Sequence, residues 1–298
     1  MKSLVHRQLD ALKWRMDLTN EQLYYLENLT RGYSGEEEFK GFLMNLVGES
    51  ACILTDFTFS VDGVVRQIDE LVVFRNAIFI FEVKNYHGDY LFRDGDFYNT
   101  KFTSKVRSPL EQLDNTVILF NRLTQKVGIT LPIKSYVVFI GKDFHLYESP
   151  RGLNIIMRGQ LKKFLNELRL KYQHADQGTK KLVESIYQFR HLEERRLDIN
   201  YSYESLKKSL FCSDDGGEII LNNRTYYECQ KCNGKTPIEA VVLQAIKDFQ
   251  TLFPEMKITI SNLYNFTGEK ISRYHYRKVL NSHYQRVGNG RGVQYIEK

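Results

Sequence analysis

At 298 residues, 42% hydrophobic and 26% charged, the chain is too apolar to stay disordered and long enough for one large core plus a smaller module. Its longest uninterrupted apolar run is about five residues, around Ala77 to Phe81, far below the roughly 18 needed to cross a bilayer, so no membrane span is expected. The formal net charge is +6, and Lys257 to Lys298, with eight Lys/Arg against two Glu, carries an excess equal to all of it; a basic appendage on a neutral remainder suits a polyanion, although solvated charge alone gives the same count.

In chain order, "MKSLVHRQLDALKWRMDL" reads as an amphipathic helix without the continuous apolar stretch of a secretory leader, and the expected compartment is the cytoplasm. Four cysteines are too few for a disulfide framework in a chain of this size, which fits a reducing environment. "YSGEEEFKGFLMNLVGE" signals a helix. Ser34 and Glu37 fit a capping box, and Phe39, Phe42, Leu43, Leu46 and Val47 form one apolar stripe. At about 100° per residue Glu36 falls about 50° from the stripe's centre, so of three consecutive glutamates only Glu36 points inward. A favourable anion at a helix N-terminus is the competing explanation for its charge.

Three strands follow, "ACILTDFTFS", "VVRQIDELVVF" and "AIFIFEVKN". With Arg75-Asn76 as a two-residue loop, Asn tolerating positive φ, Phe74 pairs with Ala77, Asp69 faces Glu82 and Gln67 faces Lys84. Directly opposed carboxylates repel, and the charged end adjoins an apolar layer formed by Leu71, Val73, Ile78 and Ile80. A divalent cation with oxygen ligands would relieve the conflict, Mg²⁺ being the usual ion where one or two carboxylates and substrate phosphate share it. A structural ion-pair cluster with Lys84 is the plainer alternative. After a turn-rich hairpin at "FRDGDFYN", Ser108-Pro109-x-Glu111 opens a second helix with a capping box, running to about Lys126. "IKSYVVFIG" is a fourth core strand, and helices are expected near Gly159 to Tyr172 and Gln177 to Glu194. The element order is α-β-β-β-α-β.

The charged stretch "HLEERRLDINYSYESLKK" marks a boundary. Beyond it, Cys212-x-x-Asp215-Gly-Gly and Cys229-x-x-Cys232-Asn-Gly, with thirteen residues between Asp215 and Cys229, resemble the two knuckles of a zinc ribbon with Asp215 where a fourth cysteine would stand. A Cys₃Asp zinc site and a degenerate ribbon without metal are both compatible with this spacing. From "TPIEAVV" onward the pattern is three helices and a Gly-rich hairpin, a winged-helix-like sequence. Its third helix carries Arg273, Arg277 and Lys278, and Arg286 and Arg291 flank the hairpin tip, positions suited to phosphate contacts; a protein-binding winged helix with solvated charge is the alternative.

Taken together, Gly35-Glu36, "QIDELVV" at Gln67 to Val73, "FEVKN" at Phe81 to Asn85, and "SPLEQ" ending at Gln112 resemble the NERD (nuclease-related) domain of the PD-(D/E)XK nuclease superfamily, over roughly residues 33 to 145. Ser108 stands where the family usually has Asn. The resemblance implies a mixed α/β fold with a restriction-endonuclease-like αβββαβ core, here followed by the small zinc-ribbon-like and winged-helix-like modules. It implies Mg²⁺ (or Mn²⁺) on Asp69 and Glu82, with Glu36 supporting it. Lys84 would position or deprotonate water, and Gln67 and Gln112 would orient water or phosphate. The expected layout is an N-terminal helical segment (1–32), a nuclease-like domain (33–195), a zinc-ribbon-like unit (205–235) and a winged-helix-like domain (236–298). The expected activity is metal-dependent hydrolysis of DNA phosphodiesters, tethered by the basic C-terminal domain. The rival is a non-catalytic DNA-binding protein that retains the fold as a scaffold. A homodimer is compatible with either.

Overall fold

The computed structural model describes residues 2–101, 104–222 and 225–298, the side chain of Arg291 excepted. The chain opens with helix α1 (Leu4–Leu12) and the long helix α2 (Asn20–Leu46). Two compact units are formed, one of Leu29–Glu193 and one of Lys2–Asn28 with Glu194–Lys298.

In the first unit, β1 (Cys52–Val61), β2 (Val64–Phe74) and β3 (Ala77–Lys84) make an antiparallel meander. Asp62-Gly63 supplies the tight turn between the first two strands, both residues with positive φ (51° and 79°), as a two-residue hairpin of this type demands. Then come β4 (Gly88–Arg93), β5 (Asp96–Asn99), β6 (Ser104–Val106) and helix α3 (Pro109–Lys126), followed by β7 (Ile133–Phe139). Strands β3 and β7 are parallel and therefore need a long crossover, which includes α3. Ser108 caps α3 by accepting the Glu111 N–H, and Pro109 takes the first helical position, where its missing N–H costs nothing. The remaining elements are β8 (Phe144–Tyr147), β9 (Ile155–Met157), α4 (Leu161–Lys171) and α5 (Gln177–Tyr187).

The main sheet runs β1-β2-β3-β7-β9, and β6-β5-β4-β8 form a second. The architecture is mixed α/β with mixed sheets. Central strand β3 is buried on both faces. Phe39 and Leu43 of α2, Val47 just beyond its end, and Leu161, Leu165 and Leu168 of α4 cover the face of Val72, Phe74, Phe79 and Phe81. On the opposite face Leu71, Val73, Ile78 and Ile80 pack with Leu113, Phe120 and Leu123 of α3.

The second unit holds α1, the small sheet β10 (Ile219–Asn222), β11 (Tyr226–Cys229) and β12 (Lys235–Pro237), helices α6 (Ile238–Leu252), α7 (Ile260–Phe266) and α8 (Arg273–His283), and the hairpin β13 (Tyr284–Val287) and β14 (Gln294–Glu297). Ile258 bridges Tyr295 of the hairpin. One core joins Leu12 of α1, Tyr227 and Cys229 of β11, Phe249 of α6, Phe266 of α7 and Tyr276 of α8. Gln8 ties α1 down by donating to the Leu197 carbonyl (2.9 Å) and accepting the Leu197 N–H (3.0 Å).

Three sequence expectations are corrected. Ser34 caps nothing, because α2 runs unbroken from Asn20; Gly35 sits inside the helix since any Cβ there would meet Asn85 Cβ at 2.7 Å and Ile140 Cγ2 at 2.9 Å. The Phe74–Ala77 pairing forms as expected, yet neither Arg75 nor Asn76 takes positive φ. That turn is instead held from outside: Arg75 N–H donates to the Gln173 carbonyl, and Asn76 Oδ1 accepts the Gln173 N–H. Finally α5 stops at Tyr187 rather than near Glu194, and the following residues satisfy the open edge of β1 through Ser60 N–H to Phe189 carbonyl and His191 N–H to Thr58 carbonyl.

Candidate active site

Strands β2 and β3 are paired from Phe74↔Ala77 up to Glu70↔Phe81, and there the ladder ends. Where main-chain pairing stops, the Asp69 carboxylate takes over, its Oδ2 accepting the Val83 N–H at 2.7 Å. Strands β1 and β2 also change phase here. Leu54 and Phe57 of β1 contribute to one layer, as do Ile68 and Leu71 of β2, although strict alternation would put each pair on opposite faces. Asp56, with φ 53°, is the residue of β1 at which the shift occurs.

Around this break lie five carboxylates. Glu82, 3% exposed, is the best satisfied: its Oε1 accepts from Lys84 Nζ (2.6 Å) and from Gln112 Nε2 (2.6 Å), and Lys84 Nζ also donates to Gln112 Oε1 (3.2 Å). Gln112 reaches the strand from the first turn of α3, so the Ser108-Pro109 cap fixes its place. Burial, then the charges of Glu82 and Glu36, push the Asp69 carboxyl well above the usual carboxylate range. Glu36, projecting from the interior of α2, is raised to about 7 by burial and by Asp56. With the helix extending four turns further back, favourable charge at a helix N-terminus no longer accounts for an acid at position 36. For Lys84, burial alone would lower the ammonium's pKa, but Glu82 and Asp69 outweigh it and hold the group above its ordinary value. Lys84 is a firm cation.

Glu70 lies beside this group with 2% of its surface exposed, and its Oε2 is buried without a hydrogen-bond partner. Burial and the neighbouring Asp56 raise it to about 9. Neither Asp56 nor Glu70 emerged from the sequence. The Asp62-Gly63 turn could have revealed the first: it sets Val61 against Val64, Thr55 against Glu70 and Phe57 against Ile68, which leaves Asp56 opposite Asp69.

Gln67 departs from expectation. It is exposed and pairs with Thr58, because the ladder that would have set it against Lys84 ends three residues earlier; Gln112 is the amide that reaches the acids. Tyr86 and Tyr90 stack on one another at 5.2 Å and pack against Phe144, as side chains of the core. A cleft of about 390 Å³ lined by Phe42, Lys142, Phe144, Met157 and Arg158 does not include the carboxylates.

Whether the acids suit a cation is a question of charge and donor type. Carboxylates that raise one another's pKa, with one ammonium among them, are short of positive charge, and an all-oxygen donor set fits a hard divalent ion such as Mg²⁺. The set is not drawn tight. Among the described residues, one group of three or more metal-ligating side chains has all its ligand atoms within 4.8 Å of one another, and it is Cys212, Asp215, Cys229 and Cys232 in the second unit.

On α8, Tyr276, Val279 and Leu280 face the core, which leaves Arg273, Arg277 and Lys278 exposed. The Arg273 guanidinium lies 4.4 Å from the centroid of the Tyr264 ring. Arg286, on β13, is exposed, and the side chain of Arg291 lies outside the described residues.

Residues 31–140 match the family model described as "Nuclease-related domain" (NERD). No curated protein matches the chain. Among solved structures, the small subunit of the heterodimeric restriction endonuclease R.BspD6I is similar at 17% identity and a TM-score of 0.24, over 53% of this chain and 78% of that one. Protein VC1899 from Vibrio cholerae is similar at 14% identity and a TM-score of 0.25, over 51% of this chain and 36% of that one.

Proposed function

We propose, from the premise that residues 31–140 form a nuclease-related domain, that the chain is a divalent-metal-dependent nuclease that hydrolyses phosphodiester bonds in DNA. The observation that carries this reading is the junction at Glu82: a buried carboxylate bound at once by an ammonium and an amide, beside a second carboxylate, Asp69, at the point where two strands stop pairing.

Asp69 and Glu82 would hold Mg²⁺ or Mn²⁺, with Glu36 adding a ligand directly or through water. Such an ion supplies Lewis-acid polarisation of the phosphoryl oxygens and offsets charge in an in-line displacement. The protein's own part is to place and neutralise. Lys84, held above its ordinary pKa, acts through its positive charge on the pentavalent phosphorus group and on the entering water, rather than by taking a proton from it. Gln112 fixes the Glu82 carboxylate with its amide N–H while its carbonyl accepts from Lys84, so one side chain sets the orientation of two others. The Val83 N–H does the same for Asp69.

The second unit would tether the enzyme. The order α6, Ile258 bridge, α7, α8 and hairpin supports a winged helix, with α8 offered to the major groove of B-DNA through Arg273, Arg277 and Lys278 and the hairpin bringing Arg286 to the backbone.

Plasmid DNA incubated with the full chain should be cut in Mg²⁺ or Mn²⁺ and not in its absence, and Glu82→Gln should abolish cutting. If neither DNA nor RNA is cut with any divalent ion, the scaffold reading replaces this one. For the tether, Arg273→Ala with Arg277→Ala should weaken DNA binding across all sequences and lower the slope of log K against log salt by about 1 per residue removed. An unchanged slope would remove α8 from the interface.

A further inference from the structure

The cysteine cluster is built by two loops of the same design. In the first, Cys212 N–H donates to the Gly217 carbonyl (2.8 Å) and Gly216 N–H to the Cys212 carbonyl (3.1 Å). In the second, Cys229 N–H donates to the Gly234 carbonyl (2.9 Å) and Asn233 N–H to the Cys229 carbonyl (3.0 Å). The bonded positions correspond one for one. So do the left-handed residues, Gly216 with φ 69° and Asn233 with φ 60°. Each loop turns its first and fourth side chains toward the other, Cys212 and Asp215 from one, Cys229 and Cys232 from the second. A glycine closes each loop because space is lacking: a Cβ at Gly217 would lie 2.7 Å from Cys229 Sγ, and one at Gly234 would lie 3.2 Å from Cys232 Sγ.

The separations are those of a coordination tetrahedron. Four ligands at the usual Zn–S length of about 2.3 Å have edges of about 3.8 Å, and an edge to a carboxylate oxygen is about 3.5 Å. Cys212 Sγ and Cys232 Sγ are 3.9 Å apart, and Cys229 Sγ is 3.3 Å from Asp215 Oδ1. The N–H donors that hold ligated atoms in place are also present: Lys231 N–H points at Cys229 Sγ (3.4 Å) and Gly217 N–H at Asp215 Oδ1 (2.9 Å). Lys231 Nζ, on the Asp215 carbonyl at 3.1 Å, brings positive charge to a ligand set with four anions.

The geometry points to a structural Zn²⁺ site formed by Cys212, Asp215, Cys229 and Cys232. Asp215 occupies the fourth ligand place that a cysteine holds in the matching loop. Three thiols must lose their protons on binding, so affinity rises with pH. The ion fastens the ends of a sheet whose strands are only three or four residues long, too small to be stable unaided. It also fastens α1's end, since Lys13 Nζ donates to the Ser213 carbonyl and the Trp14 ring lies against Gly216, where a Cβ would be 2.5 Å from it.

Trp14 is the chain's one tryptophan, which gives a readout independent of catalysis. The full chain, purified in reductant without chelator, should contain one zinc per chain by elemental analysis, and stripping it should shift Trp14 emission to the red. Replacement by Co²⁺ should give the visible absorption of a tetrahedral thiolate site. Cys232→Ser should lose the metal, and Asp215→Ala should lose zinc at chelator concentrations the parent withstands, whereas Asp215→Cys should retain it at concentrations that strip the parent. Should the parent chain hold no zinc and develop no thiolate–cobalt absorption, or be isolated with a Cys212–Cys232 disulfide, the site is refuted. Equal zinc retention in Asp215→Ala would likewise overturn it. These outcomes are read on the parent chain as well as on variants, so a variant that fails to fold leaves the test intact.

Discussion

The acid cluster of the first unit and the thiol cluster of the second differ in how much of the arrangement the backbone makes in advance. Around Cys212 and Cys229, eight named residues of two matching turns bring the ligand atoms within 4.8 Å of one another. Around Asp69 and Glu82 no three of the described carboxylates bring their ligand atoms within that distance, and a lysine and a glutamine occupy one oxygen of Glu82. Charge explains the contrast. Protonated thiols can crowd without penalty, whereas two carboxylates about 4 Å apart repel by roughly 4 kcal/mol at the effective dielectric of a protein surface. A turn can therefore bring thiols together on its own, while neighbouring carboxylates need a cation such as Lys84 among them.

Four substitutions would break or sharpen that contrast. The largest effect is expected of Lys84→Met, which takes the positive charge from among Asp69, Glu82 and Glu36: DNA cleavage in Mg²⁺ should fall by about 10²- to 10³-fold with the circular dichroism spectrum unchanged. A rate equal to the parent's would show that Lys84 balances charge for the fold alone.

Next is Glu70→Gln. The folded-state pKa of Glu70 is about 9 against an ordinary 4.5, so between these values the folded chain keeps a proton that the unfolded chain has released, and the group's contribution to stability falls as pH rises. In Mg²⁺-free buffer Glu70→Gln should raise the unfolding free energy by about 1–3 kcal/mol at pH 8 and leave it nearly unchanged at pH 4. Urea midpoints at the two pH values measure this; a gain of the same size at both would mean that packing, not ionisation, is altered.

The smallest effects come from two glycines of α2. Gly35→Ala forces a methyl against Asn85 and Ile140 behind the acid site and should cost about 1–3 kcal/mol, whereas Gly41→Ala, with open space around it, should stabilise by about 0.5–1 kcal/mol. Opposite signs in thermal unfolding are expected, and a stabilising Gly35→Ala would mean that the helix can move away from β3 and β7.

Local chemistry was the part of this chain that its sequence made readable. The meander, its Phe74–Ala77 register, the Ser108-Pro109 start of α3 and the paired knuckle spacing all rest on contacts within a few residues or on a two-residue loop, and all of them appear in the structure. What escaped depended on distant partners. Nothing near Ser34 reveals that α2 has already started at Asn20, and Gly35 looks like a helix breaker until Asn85 and Ile140 are seen against it. Gln67 and Gln112 are alike as amides; the end of the β2–β3 ladder at Glu70 separates them. Glu70 escaped because its burial depends on packing that no neighbouring residue reveals.

The bond between Gln8 and Leu197 carries a consequence for biosynthesis. Helix α1 is translated well before its partners in the second unit, since Leu197 and the α6 residues that share its core follow roughly 190 to 240 positions later. At about 5–20 residues per second the apolar side of α1 stays without its native cover for roughly ten to fifty seconds, a window in which the intervening unit can complete its own folding and a nascent-chain chaperone has a defined place to bind.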